Sequence, residues 1–511
     1  MQPSKLRQFY QLNTLSNIIA RTFTSDTSNT DRRQLKSWKQ IPGPSLWDLM
    51  KEGIPGVKEE LNFNDGLKFG LNLYKKYGPI VKVDGCLGRP PVIALYDPDY
   101  CSQILHSENW MPIRRGFDSL EYYRKFKRHK SKENQIKSNV YGLITDHGES
   151  WKQFRSTVNP VLLQPKTIKL YTASIDEVAL DMIARLKSLR GENNMIQSDF
   201  AMEMNLWSLE SIALVALGRR LRCFDSHLPS NSPEKRLIRL VHEIFTVANN
   251  LDFKPSFWRY FPTTTYMRAM KLYEEHERLA CYFINKTIEE FQKENKRKLD
   301  DNKSVLEKLL EINKDIAVVM ASDLLLAGVD TTANTITAIL FLLATNQEKQ
   351  DKLREEIRTI KDPNQRYYLR ACIKESLRMM PVVSGNIRDT TKEYNVLGYS
   401  IPEGIIISFM HQAMSMMDEH FPRASEYLPE RWLANKEDPM YYRNAHPFVY
   451  QPFGFGVRSC IGRRIAELEL DIFLVRLIEN FKVEWFGPPL KSKSASMNYM
   501  IGPHNFIFKD A

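Results

Sequence analysis

The sequence predicts a single large domain that is mainly α-helical with a small β region. Short runs of β-type residues occur at Ile80–Val83 and Pro91–Ala94, and long helical patterns of apolar residues dominate after them. The last third of the chain mixes helices with short strands, and residues 421–456 are rich in turn-forming residues. With 511 residues, of which 43% are hydrophobic, the chain can bury a large core.

The first 39 residues have the composition of an organelle-targeting segment. They carry seven Lys or Arg against two Asp, which gives +5 of the net charge of +11. They have no acid before Asp26 and no continuous apolar stretch of the secretory type. Three apolar residues fall on one helical stripe: Leu12, Leu15 and Ile19. We expect residues 1–39 to be a mitochondrial presequence, with a disordered basic tail as the alternative, and residues 40–511 to form the folded domain.

The apolar runs and charge runs of the sequence bear on membrane and nucleic-acid contacts. No run of about 18 uncharged apolar residues occurs, so no transmembrane helix is predicted, and residues 316–346 are expected to be a buried core helix. The stretch LDFKPSFWRYF, residues 251–261, mixes aromatic residues with cations and indicates peripheral membrane contact, with a buried helix connection as the alternative. The basic run at 124–132 is predicted to be a solvated loop, and no nucleic-acid partner is expected.

One cysteine stands in an unusual setting. The six cysteines form no C-x-x-C pair, which argues against a disulfide framework and a cysteine-only zinc site. Cys460 lies in FGFGVRSCIGRR, just before a predicted helix whose N-terminus favours a thiolate. Gly456 and Gly462 let the backbone approach whatever the sulfur binds. A single soft anionic ligand of this kind suits haem iron, and a buried structural cysteine is the alternative.

The segment around Cys460 also matches a longer pattern, F-x-x-G-x-R-x-C-x-G. It resembles the haem-binding loop of the cytochrome P-450 monooxygenases, and the resemblance extends from Pro42 to the C-terminus. This resemblance implies the cytochrome P-450 fold and haem b, iron protoporphyrin IX, with the Cys460 thiolate as its proximal axial ligand. It also implies that Phe453 and Arg458 bind the cofactor, with Arg458 and Arg388 contacting haem propionates.

A helical stretch, LLLAGVDTTANT, carries the second group of candidate residues. Gly328 and two threonines lie mid-helix, where they are poor choices by helix propensity. The Thr331 hydroxyl can compete for the carbonyl of Ala327, and the small residues leave room for dioxygen. Asp330 and Thr331 then form an acid and alcohol pair that can relay protons. A core helix with a tolerated kink is the alternative.

The E-x-x-R pair Glu375 and Arg378 gains its meaning from its position. Other pairs in the chain have the same spacing, but only this one precedes the sequence PERW and then the cysteine loop. The resemblance implies that Glu375, Arg378 and Arg431 form a structural charge network that holds the coil under the haem. Loss of one member would leave a buried charge without its partner.

A W-x-x-x-R pair is the third motif. Trp151 and Arg155 lie one helical turn apart and therefore on one face, whereas Pro112 breaks the equally spaced pair Trp110 and Arg114. The Trp151 N–H and the Arg155 guanidinium suit haem carboxylates. An exposed salt bridge on the helix surface is the alternative for Arg155.

Four segments resemble the insect mitochondrial clan of this family: residues 154–166, 252–260, 303–310 and 370–378. Enzymes of that clan take electrons from a two-iron two-sulfur ferredoxin with its flavoprotein reductase. Arg370 and Lys374 share a helix face, and Arg463 and Arg464 follow Cys460. These four cations are expected to form a basic patch for the acidic ferredoxin, the alternatives being a solvated face and packing roles. A microsomal reductase is the rival partner.

One segment departs from the family pattern. Only residues 361–368 separate the helix ending near Ile360 from the helix starting near Leu369, where the family usually has a longer connection. The placement of Arg370 and Lys374 depends on this connection.

These observations together predict a haem-thiolate monooxygenase that inserts one atom of dioxygen into an apolar small molecule. The substrate is expected to be a xenobiotic or an endogenous lipid or steroid, and the location the matrix face of the inner mitochondrial membrane. A haem-thiolate isomerase or dehydratase and a non-catalytic haem sensor are the alternatives. Neither alternative needs the pair of Asp330 and Thr331.

Overall fold

The computed structural model describes most of the chain, namely residues 35–51, 65–130, 136, 139–225, 227–294 and 303–511. The predicted presequence lies almost wholly outside the described residues, as do Leu12, Leu15 and Ile19, so it stays a prediction. Lys36 and Ser37 already pair with Tyr399 and Ser400, which means that ordered structure begins a few residues before position 40.

Helices make up most of the described structure, which confirms the mainly α prediction. In chain order they are α1 Leu46–Lys51, α2 Gly66–Tyr77, α3 Pro98–His106, α4 Asp118–Tyr122, α5 Gly142–Thr145, α6 Gly148–Leu162, α7 Pro165–Lys169, α8 Thr172–Leu189, α9 Phe200–Leu217, α10 Pro233–Ala248, α11 Thr264–Glu294, α12 Val305–Ile312, α13 Lys314–Thr345, α14 Gln347–Thr359, α15 Tyr367–Met379, α16 His411–Ser415 and α17 Arg463–Asn480.

The strands form small sheets. They are β1 Lys36–Ser37, β2 Ile80–Val83, β3 Val92–Leu95, β4 Asn386–Asp389, β5 Tyr394–Val396, β6 Tyr399–Ile401, β7 Ile406–Phe409, β8 Phe481–Trp485, β9 Lys491–Ser494, β10 Asn498–Ile501 and β11 Phe506–Asp510. The largest sheet has the order β2-β3-β7-β4, and β3 runs parallel to β7. Because this pairing joins strands more than 300 residues apart, it ties both ends of the chain into one domain.

Two apolar helices form the centre of the core. By length and composition, α9 and α13 could each cross a membrane, but most of their residues are buried inside the protein. Burial on nearly every face explains why both helices are apolar all round. The prediction of a buried core helix at residues 316–346 is therefore confirmed.

The prediction of a solvated basic loop at 124–132 is wrong for Arg124 and Arg128. Both arginines are at most 1% exposed. Arg124 Nη2 donates to Asp323 Oδ1 at 2.7 Å, and Arg128 pairs with Glu277. The carboxylates belong to α13 and α11, far away in sequence, and ion pairing compensates for the burial of these cations.

Candidate active site

The Cys460 loop is a tight turn that leads into α17. Its glycines Gly454 and Gly456 have φ of +72° and +69°, which other residues rarely adopt. The Cys460 N–H donates to the Phe453 carbonyl at 2.9 Å and closes the loop. Helix α17 begins at Arg463, so the cysteine lies just before the helix, as the sequence predicts.

The thiol of Cys460 has accessible surface although protein atoms surround it. This combination indicates that the thiol faces a space inside the protein. Burial raises the pKa of the thiol, whereas the backbone N–H groups of Gly462 and Arg463 and the cations of Arg155 and Arg114 act to lower that pKa. These donors and cations favour a thiolate once an electrophilic partner compensates for the burial.

One face of α13 also borders open space. Ala327 is exposed, although Leu325, Leu326 and Val329 beside it are buried. The Thr331 Oγ1 donates to the Ala327 carbonyl at 2.6 Å, which is the contact expected from the sequence. A small residue at position 327 therefore leaves room at this face.

Gly328 lies against α9, where the sequence predicts open room for dioxygen. A Cβ at this position would lie 2.6 Å from Ile212 Cγ1 of α9. The Ser208 hydroxyl donates to the Gly328 carbonyl at 2.9 Å. Gly328 thus allows the two core helices to approach closely, and its small size is not explained by room for dioxygen.

Asp330 and Thr331 are adjacent in sequence but make separate contacts. The Asp330 side chain is 1% exposed, and its Oδ2 accepts a hydrogen bond from the Tyr499 hydroxyl at 3.0 Å. Within the described residues, its Oδ1 has no hydrogen-bond partner. Since the Thr331 hydroxyl donates to Ala327, the structure does not join the two side chains directly.

A cluster of arginines lies near Cys460, which we call the arginine cluster: Arg114, Arg155, Arg388 and Arg458. The Arg458 guanidinium stacks on the Trp151 ring, with Cζ 3.6 Å from the ring centroid, and donates to the Asp146 carbonyl at 2.8 Å. Arg155 Nη2 donates to the Ser459 carbonyl at 2.9 Å. Trp151 and Arg155 therefore lie against the residues of the cysteine loop.

The arginine cluster carries more positive charge than its surroundings compensate. Burial, together with the other three arginines, lowers the pKa of Arg458 to about 8. Burial likewise lowers the pKa of Arg114 to about 10. A carboxylate in contact with the cluster is that of Glu108, whose Oε1 lies 2.9 Å from Arg388 Nε. Burial raises the pKa of Glu108.

Two buried donors indicate that the arginine cluster binds an anion. Trp151 Nε1 and Arg155 Nε have no hydrogen-bond partner among the described residues. Buried donors are normally satisfied, and a cluster of cations stabilises a ligand with more than one carboxylate. The two propionates of a haem fit this requirement, and Cys460 offers the iron a sulfur ligand.

Sequence reasoning missed two members of this site. The sequence favours Trp151 and Arg155 over Trp110 and Arg114 because Pro112 prevents a helix, yet the irregular segment before α4 brings the Arg114 guanidinium to the cluster without one. Its W-x-x-x-R spacing was the available signal. Glu108 has no motif, because its role comes from Arg388, which is distant in sequence.

The Glu375 network connects α15 to the coil before the cysteine loop. Arg378 Nη2 donates to Glu375 Oε1 at 2.8 Å, and Arg431 Nε donates to the same oxygen at 3.0 Å. The Trp432 Nε1 donates to Glu375 Oε2 at 2.9 Å. The carboxylate and both guanidinium groups are fully buried. Sequence reasoning missed Trp432, the last residue of PERW.

The four candidate redox-partner cations have unequal surroundings. Lys374, Arg463 and Arg464 are exposed, and Arg463 pairs with Glu467 at 2.9 Å. Arg370 instead donates to the carbonyls of residues 363 and 364, at 2.9 and 2.8 Å. Its guanidinium therefore stabilises the short connection between α14 and α15. It contributes less to an exposed basic patch than Lys374, Arg463 and Arg464 do.

Comparison with known proteins decides the family. The sequence model described as Cytochrome P450 matches residues 61–509.

The chain belongs to the cytochrome P450 family.

Proteins similar to this chain include P450s of insects. It is 39% identical to "Cytochrome P450 CYP12A2" of Musca domestica over 95% of this chain and 94% of that one. It is 36% identical to "Probable cytochrome P450 12a5, mitochondrial" of Drosophila melanogaster, over 93% of this chain and 92% of that one. It is 35% identical to "Probable cytochrome P450 12b2, mitochondrial" of the same fly, over 89% and 85%.

Membership of the P450 family confirms the predicted fold, cofactor and enzyme class. The P450 is a haem-thiolate monooxygenase, and relatives named mitochondrial support a mitochondrial location. The individual roles of the site residues stay predictions.

Proposed function

We propose that this P450 oxidises an apolar small molecule in the mitochondrion with electrons from a two-iron two-sulfur ferredoxin and its flavoprotein reductase. One observation carries the proposal: the exposed Cys460 lies beside an arginine cluster with fewer carboxylates than cations among the described residues, in a chain with relatives that are named mitochondrial P450s. When bound, the haem supplies dioxygen activation, which the electron donation of a thiolate favours.

In this proposal, the chain holds the haem at both its iron and its propionates. Cys460 ligates the iron, and the N–H groups of Gly462 and Arg463 stabilise the negative charge on sulfur. The propionates are bound by the side chains of Trp151, Arg155, Arg388 and Arg458. Arg114 contributes a further positive charge to this site. Phe453 begins the loop, and Arg463 Cζ lies 5.3 Å from the centroid of its ring.

In this proposal, Thr331 and Asp330 on α13 deliver protons to the reaction. Thr331 is the residue of the pair at the open face, because its hydroxyl reaches the carbonyl of exposed Ala327. The buried Asp330 provides a carboxylate that can pick up and release protons behind it.

The variant Thr331→Ala tests this delivery. We expect it to retain haem and to divert reducing equivalents to hydrogen peroxide. Thr345→Ala, which removes the same kind of hydroxyl-to-carbonyl contact at the far end of α13, is the matched control. Peroxide and water formed per NADPH are measured. Full coupling in Thr331→Ala would remove Thr331 from the relay.

The ferredoxin is proposed to dock on Lys374, Arg463 and Arg464. Their exposure makes them available to an acidic partner, and long-range attraction of this kind weakens with salt. Lys374→Glu should raise the KM for ferredoxin several-fold at low ionic strength, whereas Lys271→Glu on the exposed surface of α11 should not. Equal KM values for both variants would move the docking site elsewhere. Turnover supported by a microsomal reductase alone would favour the rival donor.

Peripheral contact with the matrix face of the inner membrane is proposed for the segment that follows α10. Phe257, Tyr260 and Phe261 are 48 to 66% exposed, which is unusual for residues of this type. Trp258, by contrast, stacks on Tyr266 and donates to the Leu251 carbonyl, so it packs inward.

Vesicle binding tests this contact. The double variant Phe257→Ser with Phe261→Ser should lose most sedimentation with cardiolipin-containing vesicles. Tyr367→Ser removes an equally exposed ring at the start of α15 and should sediment as the parent does. Equal loss in both would argue against a specific membrane face.

The proposed substrate is an apolar small molecule, either a xenobiotic or an endogenous lipid or steroid. The exposed Ala327 on α13 offers such a molecule a small apolar contact beside Thr331. Spectral shifts of the recombinant holoenzyme with a mixed compound panel would identify the class. Turnover that needs no reduced ferredoxin would favour an isomerase or dehydratase, and no turnover of any ligand would favour a sensor.

A further inference from the structure

The carboxylate of Asp330 lies at a junction of three elements. Tyr499, on β10, donates its hydroxyl hydrogen bond to Oδ2 at 3.0 Å. His242, on α10, places Nδ1 3.7 Å from the same oxygen. The rings of His242 and Tyr499 meet edge to face with centroids 5.0 Å apart. Asp330 is therefore buried against two side chains from outside its own helix.

Asn334 fixes this junction one turn further along α13. Its Nδ2 donates to the Asp330 carbonyl at 2.7 Å, and its Oδ1 accepts from the Met500 N–H at 2.7 Å. Strand β10 is thus attached to α13 beside Asp330, and the Tyr499 hydroxyl is held in register with the carboxylate.

His242 connects this buried carboxylate to solvent. Its side chain is 56% exposed, whereas that of Asp330 is 1% exposed. An imidazole with one nitrogen near a buried acid and an accessible edge can exchange protons with water and pass them inward. The Oδ1 of Asp330 has no hydrogen-bond partner among the described residues, so Tyr499 and His242 engage one of the two carboxylate oxygens.

We propose that His242 is the residue through which protons from solvent reach Asp330, and that Tyr499 positions the carboxylate to receive them. The step moves one proton: the imidazolium Nδ1–H gives it to Asp330 Oδ2, and the neutral imidazole takes another from water. No electron or co-reactant is required. The inference rests on the proton role that the proposed function gives Asp330.

The charges around His242 favour its protonated form. Its closeness to Asp330 raises the pKa of the imidazole above its usual value; burial opposes this effect. Glu243 raises that pKa further and Lys493 lowers it. Glu243 itself pairs with Arg236 and Arg268, so its influence is partly shared. Below its pKa, His242 carries the proton that it transfers, and above it the supply falls.

The first test needs no electron donor. Full-length ferric holoenzyme labelled on histidine is titrated by NMR, and the His242 signal is assigned with His242→Gln. We expect a raised His242 pKa that falls towards the ordinary value in Asp330→Asn. An unchanged pKa in Asp330→Asn would show that the two groups do not interact and would overturn the proposal.

The second test measures where the protons go. Ferredoxin-driven NADPH oxidation without substrate is followed by the share of dioxygen recovered as hydrogen peroxide. Since water can partly replace a lost proton donor, His242→Gln should raise the ratio of peroxide to water by about tenfold. The solvent deuterium isotope effect should also increase. Exposed His227→Gln is the matched control and should match the parent.

The pH profile separates a proton donor from a merely structural residue. In the parent enzyme, peroxide should increase as pH rises through the His242 pKa, and in His242→Gln it should be high at every pH. Tyr499→Phe should raise peroxide and keep the pH dependence. An unchanged peroxide share in His242→Gln, together with uncoupling in Asp330→Asn, would overturn the His242 role alone. Unchanged coupling in both would overturn the proposed role of Asp330 as well.

Discussion

Two groups of buried arginines in this protein meet opposite electrostatic conditions. In the Glu375 network, Arg378 and Arg431 share one buried carboxylate, and their remaining donors reach backbone carbonyls. In the arginine cluster, burial and the other three cations lower the pKa of Arg458, and the buried Nε of Arg155 has no partner among the described residues.

The difference separates a structural role from a binding role. A buried ion pair completed by the chain itself holds two segments together, and it needs nothing further. A buried set of cations without enough carboxylates is stable only when a ligand brings the negative charge. We therefore expect the first group to stabilise the polypeptide and the second to stabilise the holoenzyme.

The largest expected effect concerns Cys460, the predicted iron ligand beside the arginine cluster. Cys460→Ser should abolish the reduced-CO absorption band that is characteristic of thiolate-ligated haem, because an alcohol does not replace a thiolate on iron. Cys86→Ser, which changes a half-buried cysteine elsewhere, should retain the band. An unchanged band in Cys460→Ser would refute the ligand assignment.

The next effect tests the completed network. Glu375→Ala leaves two buried arginines without their carboxylate and should lower the free energy of unfolding by about 3–5 kcal/mol. Urea unfolding of the apoprotein measures this. Glu426→Ala, which removes a carboxylate from the exposed pair with Arg423, should change little. Equal behaviour of the two variants would contradict a structural role for the network.

The arginine cluster should respond in the opposite sense. In the proposed site Arg155 donates a charge-assisted hydrogen bond to a propionate, so haem should transfer from Arg155→Gln to apomyoglobin about tenfold faster. The apoprotein should be as stable as the parent or more so, because repulsion within the cluster decreases. Arg476→Gln, in the half-buried pair with Asp176, should leave haem transfer unchanged. Loss of apoprotein stability in Arg155→Gln would remove the contrast between the two groups.

Glu469 is a buried acid that belongs to neither group of arginines, so it adds a buried carboxyl without a cationic partner to the comparison. Burial raises its pKa to about 8, partly offset by the Thr332 hydroxyl. The folded state then retains a proton that the unfolded chain releases near pH 4.5, so this group makes stability fall as pH rises from 4.5 to 8. Glu469→Gln should flatten that slope by about 1 kcal/mol per pH unit in urea unfolding. Parallel pH profiles of parent and variant would show that Glu469 is ionised throughout.

Local contacts were predictable because they depend on a few neighbouring backbone angles. The hydroxyl of Thr331 reaches the Ala327 carbonyl since residues four apart are adjacent on any α-helix. The position of Cys460 before α17 follows from helix-forming residues after it and glycines before it. The mainly α fold and the motif residues could be read from the sequence for the same reason.

Burial and charge pairing were decided only by the tertiary structure. The sequence predicts a solvated Arg124, whereas in the fold Arg124 donates to Asp323. Gly328 lies against Ile212 of α9. Arg114 joined the arginine cluster, although no local pattern required it. The free energy of a buried charge depends on partners that can lie hundreds of residues away, and a sequence determines the residue types without stating which of them meet.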